Sequence, residues 1–133
     1  MTGCYIKCSE YGEADAFPLD DGDYAIHFDN ESAERDRILK LADYGSDAEV
    51  TLSGWEADLT RNSEMGMIMV KAGDRYFIAS QVKRMDLPDE YRMSGFIVTI
   101  PTEAISGEDA IEIITLNKDF DASFPAVELE IES

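Results

Sequence analysis

Short runs of alternating apolar residues, separated by turn signals, repeat along most of this sequence. Tyr24, Ile26 and Phe28 alternate on one face of their segment, and Ile111 and Ile113 do so near the other end. Further runs of this kind lie at 50–57, 65–70, 75–82, 94–101 and 126–131. A period of two is typical of a strand with one buried face. About seven or eight strands, with a turn roughly every ten residues, predict a mostly-β fold and an antiparallel β-sandwich.

One segment, 30–41, departs from this alternation. Asn30 or Ser32 is able to cap a short helix that carries acidic residues in its first turn. The segment could equally be a loop that leads into a strand. The length of 133 residues fits one domain, so we predict a single β-sandwich over 1–133. Residues 1–48 either belong to that sandwich or wrap around it.

Charge excludes some partners. The chain has 29 acidic and 11 basic residues, a formal net charge of -18. Such a charge repels the nucleic-acid backbone and anionic membrane surfaces, so we predict no nucleic-acid partner. No run of 18 apolar residues occurs, which predicts no membrane insertion by this chain. The acids either keep a solvated surface soluble or form one continuous patch that mimics a polyanion.

Metal-binding and catalytic motifs are missing from the sequence. The usual protein ligands of zinc are cysteine and histidine, and this sequence has only Cys4, Cys8 and one distant histidine, His27. This disfavours a zinc site. Asp20, Asp21 and Asp23 around Gly22 suggest a calcium loop, but an EF-hand pattern started at Asp21 meets an alanine at position five and a serine at position twelve. Neither a G-x-S-x-G nucleophile element nor a glycine-rich phosphate loop occurs. We therefore predict no metal, no cofactor and no catalytic residue.

The middle of the chain, over 49–116, carries a series of short motifs in a fixed order. They are SGWEAD at 53–58, a hairpin at 67–79, Arg84, Asp86, Tyr91, SGFIVTI at 94–100, Gly107 and a final strand at 111–116. In this order the chain resembles small accessory β-sandwich domains of bacterial membrane glycosyltransferases and phosphoglycerol-transferase-like proteins. Glu56 stands where that pattern more often has a small residue. The resemblance implies a non-catalytic accessory domain outside the membrane, with catalysis elsewhere.

Four residues are candidates for ligand binding, each with a structural alternative. Trp55 is the only tryptophan and has an indole able to stack on a sugar, although burial in the core is the interpretation that we favour. Arg84, Asp86 and Tyr91 surround a proline-containing loop and are able to form the rim of a ligand site. Alternatively, Arg84 and Asp86 pair with each other to hold the loop, while Tyr91 covers the edge of the core.

The residues and the resemblance together predict an accessory or binding module for a glycan or a partner protein. It would belong to a glycan-modifying protein of the cell envelope and lie outside the cytoplasm. Two alternatives stay open. One is a small β-rich cytoplasmic enzyme or regulator, which needs a deep pocket with a strongly perturbed titratable group. The other is the acidic protein-interaction module that mimics a polyanion.

Overall fold

The computed structural model describes residues 5–7, 17–44 and 48–132, which contain eleven strands and a few short helices. The strands are β1 (Tyr5–Lys7), β2 (Tyr24–Phe28), β3 (Ile38–Lys40), β4 (Glu49–Asp58), β5 (Ser63–Glu64), β6 (Met67–Ala72), β7 (Arg75–Ile78), β8 (Ser80–Val82), β9 (Gly95–Pro101), β10 (Ala110–Leu116) and β11 (Val127–Glu132). The α-helices are α1 (Glu31–Asp36) and α2 (Thr102–Ile105), and 3₁₀ helices span Leu41–Tyr44 and Asp89–Ser94.

Two sheets pack face to face. The first has six strands in the order β1-β7-β6-β10-β11-β3, and the second has the order β2-β4-β9-β8, with β5 paired to the end of β4. All neighbours are antiparallel except β3 and β11, which run parallel. The predicted mostly-β sandwich is therefore confirmed.

The core lies between the inner faces of the two sheets. Phe28, Ile111 and Ile113 are all buried there, which confirms the faces that the alternation predicted for β2 and β10. Phe28 and Phe96 meet edge to face across the second sheet, with ring centroids 6.2 Å apart. The strand residue between them is Gly54, whose Cα is the register partner of both. A Cβ there would lie 1.9 Å from a backbone oxygen of β2, so only glycine fits.

The segment 30–41 contains both of the structures that its sequence allowed. Asn30 caps α1 by accepting a hydrogen bond from the Ala33 amide at 3.0 Å, and β3 follows directly. Because β2 and β3 form edges of different sheets, residues 24–40 are part of the sandwich. After β9 the chain makes the single helical turn α2. Cys4 and Cys8 lie outside the described residues.

No helix in the described part of the chain is long and apolar enough to cross a membrane.

Candidate functional site

Trp55 lies on the outer face of the second sheet. Side chains of β4 alternate, so the buried Leu52 and Glu56 point inward while Trp55 points outward and is only partly buried. The interpretation of Trp55 as a core residue is therefore wrong. The inner face at this point is occupied by Phe28 and Phe96, which meet over Gly54.

A row of three residues crosses the outer face at Trp55. His27 on β2 and Gly95 on β9 are its register partners on either side. The imidazole stacks on the indole, with ring centroids 5.9 Å apart and planes 24° from parallel. A Cβ on Gly95 would lie 2.6 Å from Cγ of Arg84, so the aliphatic part of Arg84 passes over Gly95. Paired residues share a face of the sheet, which places Arg84 beside Trp55.

Two carboxylates hold the Arg84 guanidinium. Its Nε and Nη2 donate to both oxygens of Asp86 at 3.0 and 2.8 Å, and Nη1 donates to both oxygens of Asp29 at 2.9 and 2.8 Å. These bonds, from Asp86 first and then Asp29, raise the pKa of Arg84, and the Arg84 hydrogen bond lowers the pKa of Asp86. Arg84 and Asp86 therefore pair with each other, as the alternative to a ligand rim predicted. Asp29, which lies 55 positions away, was missed because no local pattern links it to Arg84.

His27 lies between Asp29 and a further acid, Glu34. Its Nδ1 is 3.4 Å from Glu34 and its Nε2 is 3.6 Å from Asp29. Burial raises the pKa of Glu34, but hydrogen bonding from the Phe28 amide and attraction to His27 outweigh burial, so the net pKa is lowered. Ser53 Oγ donates to Asp29 at 2.9 Å. Serine and histidine thus bind one carboxylate from two sides, whereas a catalytic triad needs the histidine next to the serine.

Tyr91, the fourth predicted residue, lies elsewhere. It belongs to the Asp89–Ser94 helix, and its hydroxyl donates to Asn62 Oδ1 at 2.7 Å. Within the described contacts, none joins Tyr91 to Arg84 or Asp86. The structure therefore brings three of the four candidates together, Trp55, Arg84 and Asp86.

Two acids of β4 point inward and are removed from solvent. Glu56 is 1% exposed, and Thr115 Oγ1 on β10 donates to it at 2.6 Å across the core. Burial raises the pKa of Glu56 to about 7, although the Thr115 hydrogen bond acts in the opposite direction. Asp58 is 0% exposed and accepts from the amide and Nη1 of Arg61 at 2.9 and 2.7 Å. The two acids differ in partners, and neither faces a cleft in the manner of a glycosidase pair.

The acidic turn that suggested calcium binding is closed by protein groups. Asp20 accepts from the Gly22 amide at 2.8 Å, from Arg61 at 2.9 Å and from Asn117 at 3.0 Å. Burial raises the pKa of Asp20, but these hydrogen bonds outweigh burial and lower it overall. No cluster of three or more potential ligands able to hold a metal ion occurs among residues 5–7, 17–44 and 48–132.

No family model matches the chain, and no curated protein or solved structure matches it either. The likeness to accessory domains of membrane glycosyltransferases therefore stays a prediction.

Proposed function

We propose that this protein is a non-catalytic glycan-binding module whose ligand lies on the outer face of the second sheet, against Trp55. The observation that carries the proposal is the outward indole in a row with His27 and the Arg84 stem. An indole offers a broad apolar surface with one polar tip, which suits a sugar ring that has an apolar face and hydroxyl edges.

The polar groups around Trp55 are held in place before any ligand arrives. The guanidinium of Arg84 pairs with a carboxylate on each side, Asp29 and Asp86, and the Arg84 side chain is only 18% exposed. Groups fixed in this way lose little conformational freedom when they bind, and they set the orientation of a ligand. Hydroxyl groups extend the surface along β4 and β9, where Thr51 and Thr99 lie 3.2 Å apart. Together they offer hydrogen bonds suited to a neutral, hydroxyl-rich ligand.

A non-catalytic role is supported by the way in which the reactive residue types are used. Ser53 and His27 both bind Asp29 rather than each other. Glu56 and Asp58 are enclosed in the sandwich. The extracytoplasmic, envelope-associated setting is part of the proposal and rests on the resemblance of the segment 49–116 alone.

The arrangement of charges around the acid-rich strand β11 argues against the alternative of a polyanion mimic. Glu112 on β10 faces Glu128 on one side but Lys71 on the other. Glu132 is paired in register with Lys40. Lysines therefore interrupt the acids, and a polyanion mimic needs a continuous patch of one sign.

The test is a glycan-array screen with the intact protein, followed by titration of each hit. Trp55 is the only tryptophan, so its fluorescence reports occupancy of this face directly. We expect a saturable change in fluorescence with a neutral oligosaccharide. In the Trp55→Ala variant, calorimetric titration should show affinity at least about fivefold weaker, because loss of one aromatic contact costs about 1 kcal/mol or more.

Tyr91→Ala is the matched control, since it removes an aromatic residue from a different part of the fold. We expect this variant to keep wild-type affinity, and both variants to retain the strand content of wild type by circular dichroism. The proposal is wrong if no glycan binds, or if the folded Trp55→Ala variant binds as well as wild type.

A further inference from the structure

A small cavity lies at the seam between the two sheets. It has a volume of about 130 Å³. Its walls come from the start of β6, from the corner where the chain passes between sheets after β7, and from the junction of the Asp89–Ser94 helix with β9. Met65, Met67 and Met93 contribute to these walls, together with Ile68 and Phe96.

One polar side chain in the wall lacks a partner. Ser94 is 2% exposed, and its Oγ has no hydrogen-bond partner among the described residues. A buried hydroxyl that makes no hydrogen bond costs about 1–3 kcal/mol, so it gains whenever a partner is supplied. In this rotamer the oxygen is fully buried. Rotation about the Cα–Cβ bond gives the hydroxyl two other staggered positions, and we expect one of them to turn it toward a ligand in the cavity.

Size and composition of the cavity define the ligand. An engineered cavity of about 150 Å³ in another protein holds one benzene molecule, so about 130 Å³ suits a single ring. Methionine sulfur atoms make favourable contacts with aromatic rings, and three methionines surround this space. No charged side chain is among the lining residues, so a charged ligand would lose hydration without compensation.

We propose that this cavity is a binding site for a neutral single-ring aromatic compound with one hydroxyl group, which hydrogen-bonds to Ser94 Oγ. This site is distinct from the glycan-binding proposal, because it lies at the seam of the sandwich and shares with the row at Trp55 only Gly95, which has no side chain. Met93 lines the cavity, is 41% exposed and has the flexible side chain that entry of a ring requires.

The experiment titrates the intact protein, labelled with ¹³C at methionine methyl groups, with phenol, toluene and benzoate. Phenol should give saturable shifts at Met65, Met67 and Met93. Met69, which is fully buried, and Met85, which is 67% exposed, do not line the cavity and serve as internal references of the same residue type. Benzoate, which is charged, should leave all five signals unchanged.

Ser94→Ala separates the hydroxyl contact from the apolar fit. We expect this variant to bind phenol roughly tenfold more weakly and toluene with unchanged affinity, because only phenol loses a hydrogen bond. Ala79→Leu, which fills the cavity, should abolish binding of both probes. If Ala79→Leu does not fold, phenol and toluene with Ser94→Ala decide the question alone. Absence of saturable shifts, equal shifts at Met69 and Met85, or unchanged phenol affinity in Ser94→Ala would overturn the proposal.

Discussion

Glu56 and Asp58 are two acids on the same face of the same strand, yet the protein buries them in different ways. Asp58, at the end of β4, meets a guanidinium and a backbone amide, both from Arg61 in the adjoining turn. Glu56, one step further into the sandwich, meets only the Thr115 hydroxyl from the opposite sheet. A neutral hydroxyl stabilises a carboxylate less than a cation does.

The two positions differ in how the fold compensates a buried negative charge. Asp58 is compensated as an anion, because Arg61 also reaches Asp20 and joins two carboxylates that are otherwise almost fully enclosed. Glu56 is compensated poorly as an anion, and its pKa accordingly rises to about 7. One acid therefore has a cationic partner in the folded state, while the other is favoured there when it is protonated.

The most severe test of this comparison is Asp58→Ala. The variant loses two hydrogen bonds to Arg61 and leaves Asp20 to hold the guanidinium alone. We expect a loss of about 3 kcal/mol in the free energy of unfolding at pH 7, measured by urea denaturation. Asp74→Ala, in the exposed turn between β6 and β7, is the control and should change stability by less than about 0.5 kcal/mol. Equal losses in the two variants would remove the distinction on which the comparison rests.

Glu56→Gln should raise the free energy of unfolding, in contrast to Asp58→Ala, and it should do so only at higher pH. In the unfolded chain Glu56 loses its proton near the ordinary value of 4.5, whereas in the folded protein it does so near 7. The folded state thus binds more protons between these values, so stability from this group falls as pH rises through that window. The full difference corresponds to about 3 kcal/mol. We expect Glu56→Gln to raise the free energy of unfolding by about 2 kcal/mol at pH 8. This gain is smaller than the full difference, because the buried amide has a donor without a partner and that costs free energy.

At pH 4 the same variant should gain nothing, since Glu56 is protonated in both states there. Urea unfolding at the two pH values measures this, with Glu130→Gln on the exposed side of β11 as the control for removal of one negative charge. If Glu130→Gln stabilises the protein equally at pH 8, the gain comes from the net charge of -18 and not from burial.

A smaller effect comes from Thr115→Val, which removes the hydroxyl and keeps the shape of the side chain. We expect a loss of about 1–2 kcal/mol at pH 8, where the hydroxyl donates to a charged acceptor, and a smaller loss at pH 4. The Thr115 hydrogen bond lowers the pKa of Glu56, so the variant should titrate at a higher pH than wild type. An NMR titration of Glu56 follows that change. An identical loss at both pH values would mean that the charge of Glu56 is not stabilised by Thr115.

The strands of this protein could be predicted from sequence because their alternation is local. The assignment of faces on β4 could not, because that strand places a tryptophan outside and two acids inside. This inversion depends on Thr115 and Arg61, which satisfy the buried acids, and on Gly54, over which two phenylalanines meet. Only the assembled sandwich brings these groups together.

The candidate site was predictable to a similar extent. Arg84 and Asp86 are two residues apart, so their pairing was visible in sequence, whereas Asp29 reaches Arg84 only through the order of strands β2, β4 and β9. Tyr91 was grouped with them by nearness in sequence, but it turns toward Asn62 instead.

The edges of the sandwich have a consequence for how it meets other molecules. Within the described part of the chain, the edge strands β3 and β8 are only three residues long. The edge strand β2 ends at Phe28, whose amide is already bound by the Glu34 carboxylate. An incoming strand therefore finds little free backbone at these three edges, which disfavours edge-to-edge aggregation there. A partner that meets these parts of the protein is expected to approach through a face or a cavity, by its side chains, and not by strand addition.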